Sequence, residues 1–158
     1  MKLYAWKPYI LWILLTEAVG GLSGWLSRDG IEVYNATITQ PPLSPPMWVF
    51  PIVWGILYAL MGIGAARVSL TPPSGERSRG LNLFVMQLAL NFCWSLIFFN
   101  LQAFSVAFFW LLALIGVVLW MFFTFRKVDP FAANLQIPYL LWLAFAAYLN
   151  AGVWYLNR

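Results

Sequence analysis

The chain is 158 residues long, and 63% of these are hydrophobic, 19% aromatic and only 9% charged. A typical soluble domain is about 45–50% apolar and about 25% charged, so the charges here are too few to cover a water-soluble globule. The composition all but excludes a soluble enzyme, a disordered tail and a disulfide-stapled secreted domain. It predicts an integral membrane protein.

Long uncharged runs divide the chain into segments that can cross a bilayer. Residues 33–66, 80–125 and 130–157 carry no charge, and the first apolar run holds only Glu17. A spanning helix needs about 20 apolar residues, so the middle run is long enough for two helices, divided at the polar residues 100–102. The continuous blocks differ from the alternating strands of a β-barrel. We predict one all-α membrane domain over 1–158, a five-transmembrane-helix bundle with helices at about 8–27, 47–68, 81–100, 103–125 and 131–156.

The basic residues predict how the bundle sits in the membrane. Segments rich in Lys and Arg lie on the inner side of a membrane, and the net charge of +4 favours contact with anionic membrane lipids. We therefore expect the N-terminus inside and the C-terminus outside. No basic stripe lies away from the span ends, so nucleic acid is not an expected partner. The inner segments then hold Lys2, Lys7, Arg67, Arg77, Arg79, Arg126 and Lys127, and the outer segments hold Arg28 and Arg158.

The chain contains no histidine and a single cysteine, Cys93. Histidine is the commonest metal ligand and the usual general base near neutral pH. A His-ligated haem, a zinc site and a Ser–His–Asp triad are therefore excluded, and one cysteine cannot form an intramolecular disulfide. We expect no metal and no required cofactor, and we expect a ligand to be bound by aromatic faces and neutral polar groups.

Glu17 stands near the middle of the first helix and is followed by Gly20, Gly21 and Gly24. A carboxylate inside the membrane is costly and indicates a function or an internal partner. The glycines favour a close helix contact, which we expect to bring Glu17 near the amides of the third helix. A hydrogen-bonded acid that locks two helices together is the alternative.

The second helix follows a loop that ends in Pro45 and Pro46. Trp54 and Tyr58 are four residues apart and share one helix face. Trp54 lies about 10 Å below the helix entrance at 1.5 Å per residue, deeper than interfacial tryptophans usually sit. The pattern favours an aromatic ligand site, with interfacial and packing aromatics as the alternative.

The third helix carries two amides on one stripe with two aromatic residues. Gln87, Asn91, Trp94 and Phe98 are spaced at i, i+4, i+7 and i+11. Amides in hydrocarbon need hydrogen-bond partners. Two interpretations stay open, namely interhelical hydrogen bonds that hold the bundle together and a polar handle inside an aromatic cavity.

The fifth helix repeats this pattern with Tyr139, Trp142, Ala146 and Asn150 on one stripe. The small Ala146 leaves room for a neighbouring helix or for a flat ligand. Pro138 is expected to kink the helix just before the stripe. The stripes of the second, third and fifth helices are therefore predicted to meet below the Pro-rich loop.

The end of the chain matches a short pattern proposed for sterol contact, with Val153, Tyr155 and Arg158 at its defining positions. The alternative is an interfacial tyrosine and an arginine that reaches toward the headgroups. The pattern therefore marks only a possible sterol motif.

Three blocks of sequence resemble the TspO/MBR family, which includes translocator proteins of mitochondrial outer membranes and bacterial tryptophan-rich sensory proteins. They read VWGxLYxxMGxG at 53–64, QLALNxxW at 87–94 and PYLxWLAF at 138–145. The resemblance spans essentially the whole chain. It implies a homodimer of five-helix bundles whose pocket binds porphyrins such as protoporphyrin IX, other planar hydrophobic ligands or, in animal members, cholesterol.

The resemblance also assigns roles to single positions. Pro45 and Pro46 fall in the loop that acts as a lid over the pocket. Trp54 and Trp142 match the tryptophans implicated in a light- and oxygen-dependent breakdown of protoporphyrin proposed for some bacterial members. A translocator or sensor that binds tetrapyrroles or sterol-like lipids is the favoured function, a porphyrin-degrading enzyme is the alternative, and a mere assembly scaffold is a weaker third. The implied pocket residues are Trp54, Tyr58, Asn91, Trp94, Ser95, Trp142 and Ala146.

The first loop departs from the family pattern. Aligned on the two prolines, Tyr34, Asn35, Gln40 and Leu43 replace the usual Trp, Tyr, Lys and Trp. Without the lysine, no ion pair forms from this loop to a porphyrin propionate. We therefore expect ligand preference to differ from that of better-known members.

Overall fold

The computed structural model describes residues 5–158, and Lys2, which enters the orientation prediction, lies outside them. Within residues 5–158, five segments are long and apolar enough to cross a membrane, which confirms the predicted all-α five-helix membrane bundle. A π-helical turn, Leu96–Asn100, directly continues the helix that ends at Ser95. The helices are α1 (Trp6–Leu26), α2 (Arg28–Thr37), α3 (Val49–Ser69), α4 (Gly75–Ser95), α5 (Phe104–Val128), α6 (Pro130–Asn134) and α7 (Ile137–Leu156).

The short helix α2 was not predicted, because its segment was interpreted as the start of a loop. Charged residues such as Asp29 end the apolar run there, and a short amphipathic helix does not register as a span. Tyr34 turns toward the bundle and packs its ring against Phe98 and Phe99, with ring centroids 5.4 and 5.2 Å apart. The helix therefore lies across the end of the bundle.

The start of α4 also lies earlier than predicted, at Gly75 rather than at residue 81. The Ser74 hydroxyl accepts a hydrogen bond from the backbone N–H of Arg77 at 3.0 Å and caps the helix. Glu76 in the first turn is favoured by the helix dipole. This charged first turn extends beyond the apolar run from which the helix was predicted.

The last predicted helix is broken in two rather than kinked. Asp129 caps α6 by accepting the backbone N–H of Phe131 at 3.1 Å, and Pro130 stands in the first turn. After α6 ends, α7 begins with Pro138 in its own first turn, where proline needs no N–H partner. The kink predicted at Pro138 is therefore replaced by a break between two helices that lies before this proline.

The core lies where α3, α4, α5 and α7 meet, around Met61, Phe84, Val118 and Leu143, which are at most 1% exposed. Helix α1 packs on α3 at Gly62, where an added Cβ would lie 2.7 Å from the Ile13 Cα. Only 11% of the apolar window of α1 is buried, compared with 39% for α3. Helix α1 is therefore the peripheral span, with most of its surface free to face lipid.

Candidate ligand-binding cavity

A cavity of about 410 Å³ lies between α1, α2, α3, the end of α4 and α7. Eight of its 21 lining residues are aromatic, and each of these helices contributes to the lining. Ser23, Ser95 and Asn150 are among its few polar lining residues. The aromatic lining consists of Tyr34, Phe50, Trp54, Tyr58, Trp94, Phe98, Phe99 and Trp142.

Helix α3 supplies one aromatic wall. Trp54 stacks on Tyr58, with ring centroids 5.5 Å apart and an interplanar angle of 29°. The two residues share a face because they are one helical turn apart. The two side chains that were predicted to share a face therefore both line the cavity.

Helix α7 closes the opposite wall with Trp142 and Ala146. The Trp142 ring meets Trp54 edge to face at 6.4 Å and Phe50 at 5.8 Å. Trp142 also lines an open, apolar groove between α3 and α7 that includes Leu141. This indole therefore separates the cavity from the lipid side of the bundle.

Asn91 does not line the cavity but lies behind it in a buried hydrogen-bond chain. The Tyr58 hydroxyl donates to Asn91 Oδ1 at 3.0 Å, and Asn91 Nδ2 donates to the Tyr139 hydroxyl at 2.7 Å. The Tyr139 hydroxyl donates in turn to Gln87 Oε1 at 2.8 Å. Both amides thus satisfy groups on other helices, which matches the interpretation of interhelical hydrogen bonding. Asn91 acts on the cavity by holding Tyr58.

Trp94 is held in place by Asn150, a residue that the sequence placed on the stripe but not among the site residues. Trp94 Nε1 donates to Asn150 Oδ1 at 3.1 Å, and Asn150 Nδ2 donates to the Phe104 carbonyl at 2.9 Å. The indole stacks on Phe98 at 4.9 Å. The orientation of Trp94 is therefore fixed by Asn150 of α7 and by Phe98 of the π-helical turn before any ligand binds.

Helix α1 contributes a wall that sequence reasoning missed. Glu17, Gly20, Gly21 and Gly24 all line the cavity. Gly20 lies against the ring of Tyr58, whereas an added Cβ at Gly21 or Gly24 would meet nothing within 4 Å. In the sequence, the carboxylate followed by glycines was the available signal for this wall. Spacing alone, however, does not say which neighbouring helix that face contacts.

The first loop is tied to α7 and covers the end of the bundle. The Tyr148 hydroxyl donates to the Pro42 carbonyl at 2.7 Å. The backbone N–H of Thr39 donates to Asn157 Oδ1 at 3.0 Å, and Asn157 Nδ2 donates to the Thr39 carbonyl at 2.8 Å. Pro45 and Pro46 do not line the cavity, and the residues that follow them do so instead.

From α2, Tyr34 reaches the cavity beneath this loop. Burial raises the pKa of Tyr34 to about 12. Tyr34 stands where the resemblance expects a tryptophan, and it keeps an aromatic ring at that position. Although this part of the sequence departs from the family pattern, it thus keeps one aromatic residue in the cavity lining.

The possible sterol motif at the end of α7 does not form one surface. Val153 is fully buried, in a small cluster with Tyr34, Phe98 and other residues. Tyr155 is 65% exposed, and the Arg158 guanidinium stacks over its ring at 4.4 Å. Residues two apart in a helix point in different directions, which accounts for the separation.

The sequence of the whole chain agrees with this architecture. A profile of the TspO/MBR family matches residues 12–156. The chain belongs to the TspO/MBR family. It is a multi-pass membrane protein of the translocator and sensory type, and its match to the family covers most of the first span and all of the other four.

Individual relatives support the same family assignment. The chain is 37% identical to the translocator protein of Ovis aries, over 97% of this chain and 92% of that protein. It is 37% identical to the tryptophan-rich protein TspO of Chlorobaculum tepidum, over 93% and 94% of the two chains. It is 34% identical to the tryptophan-rich sensory protein of Cereibacter sphaeroides, over 96% and 92%. The family thus joins animal and bacterial proteins of nearly the same length.

Proposed function

We propose that this TspO/MBR protein binds planar tetrapyrroles of the protoporphyrin IX type in its cavity, in a transport or sensing role. The observation that carries the proposal is the convergence of Trp54, Trp94 and Trp142, from three helices, on one cavity of about 410 Å³. Aromatic rings offer large flat faces for stacking. The cavity volume falls within the range of about 300–1,000 Å³ usual for small-molecule sites.

We also propose that the cavity lies in the outer half of the membrane. Arg67 near the end of α3 pairs with Asp129 after α5 at 2.8 Å, so these two basic segments lie at one end of the bundle. Arg126 and Lys127 stand in the last turn of α5, at the same end. The positive-inside rule puts this end inside, and the cavity-lining half of α7 lies at the other end.

A fluorescence titration with protoporphyrin IX tests the binding proposal. Purified protein in lipid nanodiscs should show saturable quenching with a dissociation constant in the micromolar range or tighter. Trp142→Phe should weaken binding about 2- to 10-fold, because part of an aromatic contact worth roughly 0.5–1.5 kcal/mol is lost. Trp120→Phe is the matched control, since Trp120 is 57% exposed on α5 and does not line the cavity.

Absence of saturable quenching at a large excess of porphyrin would contradict the proposal, as would equal losses in the two variants. Illumination of the same samples in air separates binding from catalysis. Unaltered porphyrin absorption is expected of a binding protein. A defined breakdown product that depends on Trp142 would instead establish the enzymatic alternative.

A further inference from the structure

Glu17 is the one charged residue among the described residues that line the cavity. Its side chain is partly buried, and its Oε1 atom is buried with no hydrogen-bond partner. An unpaired polar atom away from water costs free energy comparable to a lost hydrogen bond. Glu17 lines the cavity, so this carboxylate holds unused acceptor capacity beside the space where a ligand would lie.

The amides that were expected to pair with Glu17 are already engaged. Gln87 and Asn91 bond to the hydroxyls of Tyr139 and Tyr58. Thr16, the neighbour of Glu17, donates instead to the Tyr58 carbonyl at 2.7 Å. The alternative of an acid that locks two helices together thus has no hydrogen bond to support it.

Most of the other polar groups around the cavity also point away from a ligand. Ser23 donates to the Phe92 carbonyl at 3.3 Å, and Asn150 uses both ends of its amide within the protein. The Tyr58 hydroxyl donates its proton to Asn91. Glu17 is therefore the strongest free acceptor in the lining.

The surface of α1 gives a ligand access to this acceptor. Glu17, Gly21 and Gly24 are spaced at i, i+4 and i+7, so they lie on one face of the helix. An added Cβ at either glycine would meet no neighbour within 4 Å. The two glycines form an open floor that leads along α1 toward the carboxylate.

We propose that Glu17 is the specificity-determining residue of the cavity and that it selects flat apolar ligands carrying a protonated amine or another N–H donor. A hydrogen bond to a charged group is stronger than one between neutral groups, and more so where water is excluded. A ligand carboxylate placed at the same point would meet like charge. The carboxylate edge of a porphyrin must therefore point away from α1, toward the loop that lacks the lysine.

This inference rests on the proposed binding function, and three ligands with one macrocycle separate the two. They are protoporphyrin IX, its neutral dimethyl ester and its bis-amide bearing two tertiary amines, which are cationic at pH 7. Binding of the neutral ester tests the cavity itself. Wild-type protein should bind the amine derivative at least 10-fold more tightly than the neutral ester, and the anionic parent no more tightly than the ester.

Glu17→Gln keeps the shape of the side chain and removes its charge, so it should abolish the preference for the amine over the ester. Glu76→Gln is the matched control, because Glu76 lies in the first turn of α4, away from the cavity. Equal affinities of the wild type for all three ligands would overturn the role of Glu17 and leave the binding function intact. A preference that persists in Glu17→Gln would overturn it as well, whereas no binding of any ligand would defeat the binding function itself.

Discussion

The two ends of the bundle use the same helices but pack them differently. At the basic end, defined by Arg67, Arg126 and Lys127, small residues let helices touch. Gly64 of α3 lies directly against Gln136, at the break between α6 and α7. At the cavity end, Trp54 and the other aromatic residues hold the helices apart.

Glycine has opposite consequences at different positions of the bundle. Gly62 of α3 is covered by the Ile13 backbone, so the absence of a side chain closes a contact. Gly21 and Gly24 of α1 face open space, so the absence of a side chain leaves room. The comparison shows that a glycine in a spanning helix can allow close packing or can leave a path for a ligand. Which of the two occurs depends on whether atoms of a neighbouring helix lie against the glycine.

The largest expected effect comes from filling the closed contact. Gly62→Leu places a side chain where even a Cβ lies 2.7 Å from the Ile13 Cα, so the backbones of α1 and α3 must separate. Overpacking costs typically about 1–3 kcal/mol, and more where backbone must move. We expect a strong loss of thermal stability in detergent. Gly116→Leu on α5, where a Cβ meets nothing within 4 Å, should melt close to the wild type.

Filling the open end should change binding rather than stability. Ala146→Thr adds a methyl and a hydroxyl at a residue that lines the cavity and is 8% exposed. The overpacking cost of about 1–3 kcal/mol should appear as a 5- to 150-fold loss of ligand affinity. Porphyrin titrations and melts of both proteins measure the two effects separately. Equal affinity with a lowered melting temperature would remove Ala146 from the site.

The spans and the family could be predicted from the sequence. Continuous apolar runs are long enough to identify the spans, and the TspO/MBR resemblance named Trp54 and Trp142, which line the cavity from α3 and α7. The contribution of α1 could not be predicted, since its apolar residues surround the helix and no periodicity marks its inner face. The short α2 was missed because amphipathic charge, rather than length and hydropathy, defines it.

Asn91 illustrates a different limit of sequence reasoning. Its stripe with Trp94 was correct, but only the structure shows that it points to Tyr58 and Tyr139. Spacing predicts which residues share a face, whereas the partner of an amide depends on the neighbouring helix. The resemblance assigned Asn91 to the pocket lining, and the structure places it one layer behind.

A smaller effect is expected from breaking this hydrogen-bond chain. Asn91→Leu removes the hydrogen bonds to Tyr58 and Tyr139, so each of the two hydroxyls loses one hydrogen-bond partner. Interhelical hydrogen bonds in membranes contribute on average about 0.6 kcal/mol each, with a maximum near 1.7, so we expect a loss of about 1–2 kcal/mol. Ligand affinity should fall as well, because Tyr58 is released. An unchanged melt would show that the chain of bonds contributes nothing to stability.

The smallest effect is expected at the basic end, and it separates packing from electrostatics there. Asp129→Asn removes the ion pair with Arg67, whose side chain is 34% exposed, but keeps an oxygen that can cap α6. A partly exposed pair contributes roughly 0–1 kcal/mol, so the melt should drop only slightly. Asp129→Ala also removes the cap and should cost about 0.5–2 kcal/mol more. Neither variant should change porphyrin affinity, since the cavity lies at the other end. A weakened affinity in Asp129→Asn would show that the two ends are coupled, because a local ion pair cannot otherwise reach a cavity built from separate contacts.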